Sequence, residues 1–133
     1  MAIARAVQAL IGEPLALPPA LLARYPELEA ARFRRGGLLV RIGGWCLGTR
    51  SVAGITLWRT VWLAPEAAPA PRLLLHELRH VHQFGARPLL FPLLYVWESL
   101  RRGYRANRFE VDAEAFARGR LAAVTPPDSP KPS

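Results

Sequence analysis

His76, Glu77 and His80 sit in the run His76-Glu77-Leu78-Arg79-His80, two imidazoles four residues apart with a carboxylate directly after the first. On a helix such a pair lies roughly 40° apart in azimuth and about 6 Å apart along the axis, so both rings reach one metal ion from the same side. Glu77 falls on the flank of that face, where it can hydrogen-bond a water at the metal without being a ligand. This is the arrangement that metal-assisted hydrolysis requires, with one Zn2+ as the expected ion and Glu77 as general base. The chain has 3 His and 8 Glu in 133 residues, and shuffling that composition produces the pattern in well under about one percent of chains. Leu73, Leu74, Leu75, Leu78, Val81 and Phe84 leave almost no side of this helix polar, so it should be largely buried. Two histidines and a carboxylate buried together need partners, and a metal ion supplies them.

Two histidines do not complete a catalytic zinc site, which usually takes three protein ligands. His82 lies two residues after His80 and so points to the opposite side of the helix, where a packed or hydrogen-bonded histidine is expected. The third ligand is therefore expected to be a carboxylate. In the last helix, Glu110, Ala113, Glu114, Ala117 and Leu121 share one stripe. Two acids among small residues suit a helix packed closely on the histidine helix, with Glu110 as ligand and Glu114 accepting the far ring N–H of a ligand histidine. Asp112 is expected to point elsewhere, to solvent.

The elements that must position these residues can be read along the chain. One domain is expected over residues 1–124, comprising an N-terminal helical segment (1–35), a sheet (36–64) and metal-binding helices (72–124). Within it, 1–12 reads as a short amphipathic helix and 20–35 as a helical stretch interrupted at Pro26. Residues 38–42 read as a strand, Gly43-Gly44 as a turn or bulge, and 54–63 as a single long strand. Helices are expected over about 72–84, 89–102 and 105–123, and the tail 125–133, with four prolines, as disordered. The fold class is thus α+β, a small mixed or antiparallel sheet packed on the active-site helix with two further C-terminal helices.

The net charge of +8 comes from 17 Arg and one Lys against 10 acids. The arginines are scattered, which suits a solvated surface better than a nucleic-acid interface, so no nucleic-acid partner is expected. The lone Cys46 excludes an internal disulfide and suits a reducing compartment, and no signal peptide or spanning segment is read; a cytoplasmic location is expected. The apolar stretch 88–105 runs into Arg101, Arg102 and Arg105. It is expected to cover the core, although the same pattern suits peripheral contact with a membrane surface.

Arg108-Phe109-Glu110-Val111-Asp112-Ala113-Glu114-Ala115-Phe116-Ala117 resembles the Glu-x-x-Ala-Asp signature of the prenyl-protein-processing and heat-shock zinc endopeptidases. With the histidine motif, it makes the chain similar to the gluzincin branch of the zincin metallopeptidases. On that resemblance Glu110 takes the third ligand position, and Glu114 stands where the family has Asp. Those relatives carry transmembrane helices and none is read in this chain, which therefore looks like a minimal soluble version. Residues 54–83 are also similar to a zincin-like bacterial domain of unassigned function. The two resemblances span about residues 54–117.

Together these readings imply a peptide or protein substrate, cleaved by a zinc-activated water with Glu77 moving the proton. Tyr104, or alternatively Tyr95, is the candidate oxyanion stabiliser. Thr56, Trp58 and Thr60 are expected on an edge strand that pairs with the substrate backbone. Two other classes fit the residues: a catalytically silent zincin-fold binding or assembly module, and a basic nucleic-acid or membrane-surface binder.

Overall fold

In a computed structural model of the chain, the structure describes residues 2–38, 40 and 53–124. Helix α1 (Ala2–Ile11) is followed by the short strand β1 (Glu13–Pro14), helix α2 (Pro19–Arg24), a 3-10 turn (Pro26–Ala30) and strand β2 (Arg32–Arg35). Strands β3 (Gly54–Leu57) and β4 (Thr60–Leu63) precede three longer helices, α3 (Pro71–Ala86), α4 (Phe91–Arg102) and α5 (Arg108–Val124). The sheet order is β1-β2-β4-β3. β2 runs parallel to β4 while the two outer pairings are antiparallel, so the class is α+β with a mixed sheet.

The stretch expected as one strand over 54–63 is a hairpin. Trp58 turns the chain at φ 55°, in the left-handed region that two-residue hairpin turns need. A bulky residue pays a steric penalty there, and Trp58 is anchored by its indole N–H donating to the Pro88 carbonyl at 2.9 Å and by packing on Phe84. The turn changes which residues share a face. In one continuous strand Thr56 and Trp62 would lie together. In the hairpin Thr56 pairs with Val61, Ile55 with Trp62 and Gly54 with Leu63.

The face bearing Val61 and Leu63 therefore meets α3, where Leu74, Leu75 and Leu78 join Tyr25, Leu28 and Phe33 in the main core. The reverse face gathers Trp62, Val40 and Ala64, with Ile55 and Leu57 against them. Residues 32–35, expected as the end of a helix, form β2 instead. Their alternation is weak because three of the four are arginines, and the ladder to β4 holds them extended. Leu38 and Val40 are helical rather than part of a strand. The remaining residues of the strand expected over 38–42, the Gly43-Gly44 turn, Cys46 and the tail 125–133 lie outside the described residues.

Arginines serve as internal braces. Arg34 donates to the Ile11 and Gly12 carbonyls, and the Trp62 indole to Ile11, which ties the end of α1 to the sheet. Arg120 near the end of α5 pairs with Glu27, donates to the Arg24 carbonyl and stacks over the Tyr25 ring. Its hydrogen bond holds the Glu27 carboxyl below the usual carboxylate range against the opposing effect of burial. A depressed folded-state pKa means that ionised Glu27 stabilises at neutral pH, and that this contribution is lost as pH falls through the carboxylate range. Glu27→Gln should therefore lower the unfolding midpoint by a few degrees at pH 7, about the effect of one modest ion pair. Thermal melts across pH should show the gap to wild type closing in acid; a gap independent of pH would contradict the pairing.

Candidate metal centre

α3 begins with Pro71 at its first turn and buries Leu74, Leu75, Leu78, Val81 and Phe84 against the sheet and α5. Burying that side turns His76 and His80 toward α5. The approach of α5 is set by small residues, since Ala113 and Ala117 are fully buried at the seam. Its start is fixed by Asn107, itself fully buried, whose Oδ1 accepts the Phe109 N–H at 2.9 Å as an N-cap. The Asn107 amide donates to the Tyr95 carbonyl and to Ser99, locking the first turn of α5 onto α4. Glu110 lies in that first turn and faces both histidines.

The geometry is close. Glu110 Oε2 is 2.8 Å from His76 Nε2, and Glu110 Oε1 is 3.1 Å from His80 Nε2. One ligand atom from each of His76, His80 and Glu110 lies within 4.8 Å of the others. Ligands on a common tetrahedral zinc stand roughly 3.3 Å apart at ordinary bond lengths, so small side-chain shifts suffice to seat an ion. The imidazoles meet edge to face at 5.1 Å between ring centres, which aims both Nε2 atoms at the same carboxylate.

The far ring nitrogens are also engaged. His76 Nδ1 donates to Glu114 Oε2 at 3.2 Å, the role expected for Glu114, and Arg72 holds Glu114 from the other side. His80 Nδ1 donates to Gln83 Oε1 at 2.8 Å. The orientation of Gln83 is fixed because its amide donates to the Phe109 carbonyl and to Asp112. Asp112 stands off the metal group with its side chain half-exposed, as expected, and also accepts from Arg79 at 2.7 Å and from Gln83 at 3.0 Å. Arg79, followed by Gln83, keeps its carboxyl below its ordinary range despite some burial.

Each histidine therefore meets an acceptor at both ring nitrogens. A neutral imidazole has only one N–H, so the arrangement is satisfied by an imidazolium or by a cation at Nε2. The proton affinities agree. Burial pulls His80 down, but the Glu110 hydrogen bond, the charges of Glu77 and Glu110 and the Gln83 hydrogen bond overcome it and raise its pKa to about 9. His76 is raised in the same way, against burial, by Glu110 and Glu77. Burial would raise Glu110, yet the bonds from His76, His80 and Tyr95 hold it well below the usual carboxylate range.

Glu77 is buried beside this group, on the sheet side. Its Oε2 accepts the Thr56 hydroxyl at 2.8 Å. Gly54 leaves the room it needs, because a Cβ there would stand 3.2 Å from Glu77 Oε1. The site opens to an open cleft of about 380 Å³, lined among others by Gly54, His76, Glu77, Tyr104 and Glu114. Tyr104 lines this cleft and a neighbouring one that reaches Glu110 and Arg105. Burial, followed by the charges of Glu110 and Glu77, raises the Tyr104 phenol and keeps it a donor. Tyr95 instead donates to Glu110 Oε1 at 2.7 Å, bracing the carboxylate from behind.

Of the expected substrate-pairing residues, only Thr56 lies on the edge strand β3. Trp58 occupies the turn, and Thr60 lies on β4 between β2 and β3. His82 packs its ring on Phe116, away from the site. Gln83 and the bracing role of Tyr95 were not read from the sequence. Gln83 stands three residues after His80, a spacing that places neighbours on one helix face and could have revealed it. Compared with known proteins, the chain matches no protein-family model, no curated protein and no solved structure.

Gln83→Ala leaves His80 Nδ1 without its acceptor. Outer hydrogen bonds of this kind are worth about 10- to 100-fold in metal affinity, so competition against a chromogenic zinc chelator should show a loss in that range. Unchanged affinity would show that Gln83 does not orient His80.

Proposed function

We propose that this chain is a zinc-dependent peptidase of the gluzincin kind on a minimal zincin-like frame. One observation carries the reading: His76 Nε2, His80 Nε2 and the Glu110 carboxylate converge, with Glu77 beside them at the wall of an open cleft. Two imidazole nitrogens and one carboxylate oxygen are a donor set that suits catalytic zinc, and the cleft leaves a further position accessible. His76, His80 and Glu110 would hold one ion. Bound there, zinc supplies a Lewis acid that brings a water into the neutral titration range and polarises a carbonyl.

The chain's own residues supply the rest. Glu77 takes the proton of the attacking water and passes it to the leaving amine. Thr56 fixes one of its carboxylate oxygens, while the other lies beside Gly54 at the cleft wall. Glu114 and Gln83 hold the histidines in the tautomer that leaves Nε2 free for a metal. Tyr104 offers an O–H to the developing oxyanion from across the cleft. β3, the outermost strand on its side among the described residues, reaches the cleft at Gly54, and an extended peptide could add to it by backbone pairing.

Glu77→Gln should reduce casein cleavage by at least about a hundredfold, the scale of general-base catalysis, while elemental analysis still finds one zinc per chain. Glu110→Ala should lose the zinc as well. Full activity in the Glu77→Gln protein, or wild-type protein without stoichiometric zinc after growth in zinc, would end this reading. Thr56→Val should lower turnover by about tenfold with zinc content unchanged, the loss of one hydrogen bond to a charged group. A drop in zinc instead would place Thr56 in metal binding rather than in aligning Glu77.

A further inference from the structure

α4 presents its apolar side outward. Its inner side carries Phe91, which meets Phe84 and Phe109, and Tyr95, Glu98 and Ser99, which meet α5. Its outer side carries Leu93, Val96, Trp97 and Leu100, with Leu89 in the turn before it, and these five are between 55 and 82 % exposed. At about 100° per residue, the four helical members fall within roughly 60° of the direction of Leu93. A single exposed leucine is ordinary, but a continuous stripe of this size calls for something to cover it.

The charge around the stripe identifies the cover. Residues 87–108 hold five arginines and one acid, Glu98. Glu98 is buried, with Arg102 at 3.6 Å and Arg108 at 3.7 Å. Arg87, Arg101 and Arg105 are exposed at the two ends of the stripe, with no acidic partner among the described residues. A second copy of the chain seated on this face would bring like charges together. A nucleic acid would pair with the arginines but leave Leu93, Trp97 and Leu100 in water.

We propose that the outer face of α4 docks on an anionic lipid bilayer. Leu93, Val96, Trp97 and Leu100 enter the boundary between headgroups and acyl chains, and Arg87, Arg101 and Arg105 pair with lipid phosphates. The helix lies along the surface: at 12 residues it is too short to span, and no described helix is long and apolar enough to cross a membrane. Tyr104 and Arg105, directly after α4, line the cleft around His76 and Glu110, so docking holds that cleft next to the bilayer. This inference stands independently of the peptidase reading.

The test is flotation of the full chain with vesicles of phosphatidylcholine mixed with phosphatidylglycerol, and with vesicles of phosphatidylcholine alone. The chain should float with the mixed vesicles, with a blue shift in Trp97 emission, and float far less with phosphatidylcholine alone. An Arg87→Glu/Arg101→Glu variant should bind the mixed vesicles more weakly, by about fivefold or more per arginine. A Leu93→Gln/Trp97→Gln/Leu100→Gln variant alters only exposed side chains; circular dichroism should show it folded, and its vesicle binding should fall at least about tenfold. Failure of the wild-type chain to float would overturn the proposal, as would undiminished flotation of the triple variant. So would a dimer that the triple variant dissolves without any vesicle binding.

Discussion

The seam between α3 and α5 is the constraint on which the rest of the molecule depends. Ala113 and Ala117, without exposed surface, allow the two helices close enough for one carboxylate of α5 to meet two imidazoles of α3. A larger side chain at either position would press the helices apart and lengthen those contacts. Once brought together, an acid and two histidines out of water cost several kcal/mol each unless fully paired. The surrounding groups are arranged accordingly: Tyr95, Glu114 and Gln83 each complete a bond that the central three leave open, and Asp112 in turn holds Gln83.

The arginine-rich composition divides into two populations. Arg34, Arg59, Arg72, Arg79 and Arg120 hold backbone carbonyls or acids from separate elements, so they act as long cross-links within the fold. Guanidinium suits this work, because its planar fork can bind two acceptors and remains charged at any relevant pH. Arg87, Arg101 and Arg105, around the two ends of α4, have no such work among the described residues. Net charge alone does not separate these roles; only the pairing does.

The sequence was most legible where chemistry and periodicity coincide. Two histidines at a spacing of four, and two acids at the same spacing among alanines, fix faces of helices with little dependence on anything else. The structure brings those faces together, with Glu110 and Glu114 at His76 as read. Legibility failed where a single backbone angle decides the outcome. Nothing in Leu57-Trp58-Arg59-Thr60 has the Gly or Asn that marks a hairpin, so one strand was read where Trp58 at φ 55° makes two. The strand 32–35 was hidden for another reason: its pairing with β4, far along the chain, outweighs a local pattern that leans to helix. The azimuth of Asp112 on its own helix gives its part-exposure but not its partners, because Arg79 and Gln83 reach it from the neighbouring helix.

The separation of the site along the chain has a consequence for biosynthesis. His76, Glu77 and His80 leave the ribosome before Glu110, and His76 meets a carboxylate that lies 34 positions further along the chain. Until α5 has emerged and docked, the nascent chain has two histidines without the carboxylate that both meet. The Arg120 clamp to Glu27, spanning 93 positions, closes later still. Assembly of this cluster is thereby tied to near-completion of the domain, and a chain arrested before α5 would present both histidines without the carboxylate they pair with.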